Sequence, residues 1–206
     1  MMQRLIIATK NECKINEIKR FFEEVAINGE RPLFNILSLG DVGVDLDLEA
    51  VEDGATFEEN ATKKAIAVWK ALDDENCIVL ADDSGLEIDA LGGEPGVDSA
   101  NFMGRETPYQ LRFDKILDDM RNVPYDKRNA RFVCVMAVVI KSEVSTFKAT
   151  IEGKIVDKPT GCSGFGYDPI FCVPEFNCTS AELSLTQKNK ISHRGKALQM
   201  VVEHLK

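Results

Sequence analysis

The sequence predicts an α/β protein, and three observations carry that reading. Apolar runs of strand length alternate with stretches whose apolar residues recur at helical spacing. The chain has 206 residues, 44% hydrophobic and 29% charged, which fits one large domain or two closely joined lobes around a sizeable core. Two strand-like runs over residues 130–151 make a hairpin that is long for a compact domain, and this points to an extended lobe.

The elements follow in order. Residues 4–8 read as a first strand, Thr9 to Lys14 as a polar turn, and Asn11 as the N-cap of a helix with Ile15, Ile18, Phe21, Phe22 and Val25 on its apolar face. Residues 27–32 read as a loop and 34–37 as a second strand. Residues 41–53 are acidic and read as an exposed loop with short strand pieces. Thr56-Phe57-Glu58-Glu59 is a capping box that opens a helix with Phe57, Ala61, Ala65, Val68, Trp69 and Leu72 inward. Cys77-Ile78-Val79-Leu80 reads as a buried strand that ends in a turn, Asp82-Asp83-Ser84-Gly85. Leu86, Ile88 and Ala90 then alternate with acids as a half-buried strand. Residues 92–96 form a Gly-Pro loop. Thr107-Pro108-Tyr109-Gln110 starts a helix, with Thr107 as N-cap, Pro at N1 and Gln at N3, and Leu111, Ile116, Leu117 and Met120 inward. After a polar loop over 123–129, the hairpin occupies 130–140 and 144–151. Thr179 to Glu182 caps a short helix, and Ser192-His193-Arg194-Gly195 precedes a last helix that buries Leu198, Val201, Val202 and Leu205.

Composition excludes several classes. A net charge of −9 argues against a nucleic-acid backbone as partner, although local cations or a metal can still hold a small anion. No apolar run approaches the roughly 20 residues of a membrane span. The first eight residues turn polar too soon for a signal peptide. The six cysteines lack paired C-x-x-C spacing and read as reduced thiols of a cytoplasmic protein.

Four stretches could carry chemistry. Strand, polar turn and helix N-terminus around Thr9, Asn11 and Lys14 suit a phosphate, because backbone N–H groups and the helix dipole favour an anion; a capped helix with surface lysines accounts for them equally. Asp82 and Asp83 point to opposite faces if extended, so they have different roles. Carboxylates at a strand end can hold Mg²⁺ or activate water, and a polar turn is the plainer alternative. In Gly161 to Pro169 three glycines permit close backbone approach, Phe165 and Tyr167 offer rings, and Asp168 offers an acceptor; a Gly-rich connector is the alternative. His193 and Arg194, near Lys188 and Lys190, oppose a helix dipole, an arrangement that costs stability unless an anionic or electron-rich group answers it.

Five stretches together resemble one family. They are Ala8-Thr9-Lys10-Asn11 with Lys14; Glu52-x-Gly54-x-Thr56-Phe57-x-Glu59-Asn60-Ala61; residues 81–91 with Pro95-Gly96-Val97; residues 164–171; and Ser192-His193-Arg194-Gly195-x-Ala197. In this order they resemble the inosine/xanthosine triphosphate pyrophosphatases, which hydrolyse deaminated purine nucleotides. The resemblance spans nearly the whole chain. It implies an elongated mixed β-sheet flanked by helices, in two lobes with a central substrate cleft. It also implies a homodimer, Mg²⁺ dependence, and release of pyrophosphate with the nucleoside monophosphate.

By residue, the resemblance implies that Thr9, Asn11 and Lys14, with Lys10, Glu12 and Cys13 in the same turn, hold the triphosphate. It gives Glu52 and Asp83 the metal, and Asp83 also the attacking water. Ser84 contacts substrate, Phe165, Gly166, Tyr167 and Asp168 read the nucleoside, and Lys188, His193 and Arg194 line the base end. The chain departs from the pattern at Lys10 and Cys13, where glycines are usual, and at Asn101, where an Arg is usual. Two rival readings are a pyrophosphatase of similar fold for pyrimidine or methylated nucleotides, and a nucleotide-binding regulatory module without catalysis. A substrate panel separates the first, and Mg²⁺-dependent pyrophosphate release the second.

Overall fold

The structure is a computed structural model and describes residues 3–27 and 34–206. The loop expected over 27–32 lies outside the described residues except for Ile27, which ends a helix. Strands β1 (Gln3–Ile7), β2 (Phe34–Ser38), β3 (Cys77–Ile88), β4 (Asn129–Ile140), β5 (Glu143–Ile155), β6 (Phe171–Val173) and β7 (Cys178–Thr179) form a sheet of order β2-β1-β3-β4-β5-β6-β7. The sheet is mixed: β1 runs parallel to β2 and β3, while β6 runs antiparallel to β5 and β7. The helices are α1 (Glu12–Ile27), α2 (Phe57–Leu72), α3 (Tyr109–Asp119), α4 (Leu185–Ile191) and α5 (His193–His204). Among the described residues no helix is long and apolar enough to cross a membrane.

The chain divides into two compact units. The first comprises Met1–Asp83, Cys134–Ala149 and Arg194–Lys206, the second Ser84–Val133 and Thr150–His193. In the first, the helical stripes expected in α1 and α5 (Ile15, Ile18, Phe21, Phe22; Leu198, Val201, Val202) are buried together with Leu5, Ile7, Ile78, Leu80, Met136 and Val138. Phe22 meets Phe21 and Phe34 edge-on at 5.8 and 6.2 Å, a favoured geometry for aromatic quadrupoles. The second unit packs Leu86, Ile88, Phe113, Ile116, Met120, Phe132, Ile155 and Phe171.

Several expectations are corrected. Asp82-Asp83-Ser84-Gly85 is not a turn: β3 continues through it to Ile88, and Ala90 lies in a 3-10 turn beyond the strand. Strand backbone tolerates the two acids because cations from elsewhere in the chain answer them. Leu111 is exposed and Phe113 takes the inward place in α3. Thr107 does not cap α3, since its hydroxyl donates to the Met103 carbonyl. At α2 the Thr56 hydroxyl accepts from Glu59 N–H as expected, but Glu59 reaches back to Ala55 N–H. α4, capped by a reciprocal Ser184–Gln187 box, was not anticipated, and His193 already belongs to α5. β5 extends four residues beyond the expected end, to Ile155.

Candidate active site

The phosphate-type turn forms as expected. Asn11 caps α1, its Oδ1 accepting from Cys13 N–H at 3.0 Å and Lys14 N–H at 3.2 Å. Thr9 Oγ1 accepts from Asn11 N–H at 3.2 Å and stiffens the turn. Lys10, Asn11, Glu12 and Cys13 are exposed, and Thr9 and Lys14 are half-buried. Lys10 pairs with Asp45 at 2.7 Å on the surface. Lys14 turns inward, its Nζ 2.9 Å from Asp82 Oδ1.

Alternation in β3 sends the Asp82 and Asp83 side chains to different partners. Asp82 is buried between Lys14 and Arg194, whose Nε and Nη2 donate to its Oδ2 at 3.2 and 3.0 Å. Burial alone would raise the Asp82 pKa, but Lys14, Arg194 and Lys64 outweigh it and hold the carboxylate well below its usual range. Arg194 also donates to Glu17. Desolvation works against its charge, yet Asp82 and Glu17 outweigh that and keep it firmly protonated. The Cys134 thiol beside Asp82 is driven up by burial, and so packs as a neutral group.

Asp83 faces a different set. Its Oδ1 lies 3.1 Å from Lys64 Nζ, and its Oδ2 accepts from Asn60 Nδ2 at 3.3 Å. Lys64 also donates to Glu52 and to the Asp82 carbonyl, the latter at 2.6 Å. Thus the Glu52 and Asp83 carboxylates converge on one ammonium. Burial raises the Asp83 pKa, and Glu52 and Asp82 push the same way against Lys64 and Lys14. Lys64 is disfavoured by desolvation but held charged by Asp83, Asp82 and Glu52. Asn60 ties the pair together, since its Oδ1 accepts from Gly54 N–H at 2.8 Å, two residues after Glu52. A Cβ on Gly54 would lie 2.7 Å from that oxygen, so the loop needs glycine there.

The second unit carries the other motif residues. Asp168 is buried, and its Oδ2 accepts from Phe165 N–H at 2.8 Å and from Lys188 Nζ at 2.7 Å. Lys188 lies 5.1 Å from the Phe165 ring centroid, within cation–π range. Gly164 has φ 76, and a Cβ there would sit 2.2 Å from Asp168 Oδ2, so only glycine lets the carboxylate close this turn. Gly166 also takes a positive φ, 63. Tyr167 is a core residue rather than an open ring: its hydroxyl donates to the Ser99 carbonyl at 2.9 Å, and burial pushes its pKa up to about 12. His193 is buried and stacked on Phe132 at 5.0 Å. Ser84 is half-buried in β3.

The structure therefore brings Lys14, Glu17, Asp82 and Arg194 into one ion cluster and Glu52, Asp83, Asn60 and Lys64 into another. Arg194, expected at the base end, has its guanidinium on Asp82 and Glu17 instead. Lys64, Asn60 and Glu17 went unassigned in the sequence. Lys64 had a signal: it falls beside Ala61, Ala65 and Val68 on the inward stripe of α2, where a lone lysine needs an anion.

The Ham1 family model matches residues 5–204. The chain belongs to the Ham1 family. Among curated relatives, dITP/XTP pyrophosphatase of Clostridium perfringens is 42% identical over 209 residues, covering 100% of this chain and 98% of the relative. The enzyme of the same name from Bacillus subtilis is 44% identical, covering 97% and 95%. The Ham1 protein of Staphylococcus aureus superposes with a TM-score of 0.82 at 39% identity, covering 98% of both chains. A nucleoside-triphosphatase / dITP/XTP pyrophosphatase of Mycobacterium abscessus superposes at 0.72 with 35% identity, covering 96% and 98%. The α/β fold with a mixed seven-stranded sheet is thus that of Ham1 structures.

Proposed function

We propose that this Ham1-family chain is a nucleoside triphosphate pyrophosphohydrolase. It hydrolyses dITP, ITP and XTP to the monophosphate and pyrophosphate. The relatives' shared name supports the substrate class. The observation that carries the chemistry is the convergence of Glu52 and Asp83 on one cation.

The same convergence tests the fit of Mg²⁺. Two oxygen-donor carboxylates already held around a positive charge match the few protein ligands that Mg²⁺ takes beside waters and phosphate oxygens. Among the described residues no group of three or more His, Cys, Asp or Glu could hold a metal. Glu52 and Asp83 would therefore hold the ion jointly with the triphosphate. When bound, Mg²⁺ supplies charge neutralisation for the transferring phosphoryl group.

The chain's own residues do the rest. The N-terminal turn of α1 and Lys14 bind the triphosphate, whose roughly four negative charges need local compensation in an acidic protein. Asp83 orients the water that attacks the α-phosphorus in line with the leaving pyrophosphate and accepts its proton. A carboxylate raised by burial is the better base for that. Phe165 packs on the base, and Lys188 supplies a donor to the six-position oxygen of hypoxanthine and xanthine, a match that adenine's amine lacks. A buried mismatch of this kind gives about 10⁴-fold discrimination. Arg194 could join that contact only by releasing Asp82 and Glu17. The enzyme acts as a homodimer, which a two-chain mass in sedimentation would test.

The test is pyrophosphate release with Mg²⁺ from ITP, dITP, XTP, GTP, ATP and dTTP side by side. Fast release from the first three is the expected outcome. Release chiefly from other bases would overturn the base assignment, and stepwise loss of phosphate would overturn the reaction.

A further inference from the structure

Lys64 has no part in the reaction described above, yet its ammonium is fully committed. A lysine head group has three N–H donors, and here they meet Asp82 O, Asp83 Oδ1 and Glu52 Oε1. Its side chain is 4% exposed, so water does not share in this solvation. The stem leaves α2 one turn after Asn60, so positions 60 and 64 of one helix face both grip Asp83. Without Lys64, Glu52 and Asp83 would face each other with the Asn60 amide on Asp83 and the field of Lys14 to answer them, since Arg194 is engaged by Asp82 and Glu17. With it, two carboxylates and one ammonium leave a single net negative charge.

We propose that Lys64 is a positioning residue, a resident counter-cation that keeps Glu52 and Asp83 assembled when no metal is bound and weakens their hold on free metal. Glu52 and Asp83 would then hold a divalent ion firmly only together with the triphosphate, whose oxygens would add to theirs. This inference rests on the assignment of Glu52 and Asp83 as metal ligands. It differs from a structural role in its sign: removing Lys64 strengthens binding of the bare ion.

The experiment is calorimetric titration of Mg²⁺ alone, without nucleotide, into the wild type, Lys64→Met, Lys64→Arg and the double variant Lys64→Met/Glu52→Gln. Removing the unit charge that touches both Glu52 and Asp83 is expected to lower the Mg²⁺ dissociation constant by about tenfold or more. Lys64→Arg keeps the charge and binds as weakly as the wild type. The double variant loses the gain. Should Lys64→Met fail to fold, Lys64→Gln keeps amide donors and carries the same expectation. Unchanged or weaker binding in the neutral variants overturns the role of Lys64, while the metal assignment survives if Glu52→Gln alone abolishes Mg²⁺-dependent turnover. A gain that persists in the double variant places the ion elsewhere and overturns both.

Discussion

At the scale of single residues, two adjacent aspartates differ because charges from distant parts of the chain reach them unequally. The Asp83 pKa is raised, so the base proposed above is active when deprotonated and lost as pH falls through that raised value. The acid limb of kcat/KM is expected above the ordinary carboxylate value of 3.8. Asp83→Asn should lower turnover at least about 100-fold, within the usual range for losing a general base, with little loss of fold. Near-normal turnover would remove it from the mechanism. Asp82 has the opposite sign. Its folded pKa lies below 3.8, so its stabilisation is fully present above that value and fades as pH falls below it. Thermal melts of Asp82→Asn should start lower than wild type at neutral pH and flatten in acid, and parallel curves would contradict the ion cluster. Replacing Arg194 with Met removes the guanidinium that buried Glu17 and Asp82 share, leaving Lys14 on Asp82, and should cost about 3–5 kcal/mol, measured by denaturant unfolding.

At the scale of elements, the turn around Gly164 makes the sharpest case. Gly164→Ala forces a Cβ against the Asp168 carboxylate at a left-handed φ, so Phe165 and Lys188 lose their common anchor. A loss of about 1–3 kcal/mol in stability is expected, with a narrowed preference for ITP over ATP in competition assays. Much at this scale was legible in the sequence. The stripes of α1 and α5 follow a 3.6-residue period and are buried as read except at Val25 and Leu205, which are half-buried, and the Asn11 cap and the Thr56–Glu59 bond form as read. The Ser184-x-x-Gln187 signature was present too, and it closes the cap of α4. Asp82 to Gly85 misled because local propensity makes it a turn, while its compensating cations sit at positions 14, 64 and 194. No local window contains those partners. For the same reason Arg194 read as a free cation at a helix start, though Asp82 and Glu17 answer it.

At the scale of the whole molecule, net charge and local contact act in opposite directions on an anionic substrate. The chain carries −9, so its net charge opposes the approach of a triphosphate. The cations assigned to the phosphate and base ends are instead sheltered: side-chain exposure is 14% for Lys14 and 6% for Lys188, and each already faces a carboxylate. Salt screens the exposed field strongly, shortening its reach from about 30 Å at 0.01 M to about 8 Å at 0.15 M, and screens sheltered pairs much less. Raising salt therefore removes repulsion at distance while leaving the local attraction nearly intact. kcat/KM for the Mg²⁺–nucleotide complex is expected to stay flat or rise up to about threefold over that range. A steered enzyme would show the reverse, and a tenfold fall would mean that an exposed basic surface captures the nucleotide before Lys14 does.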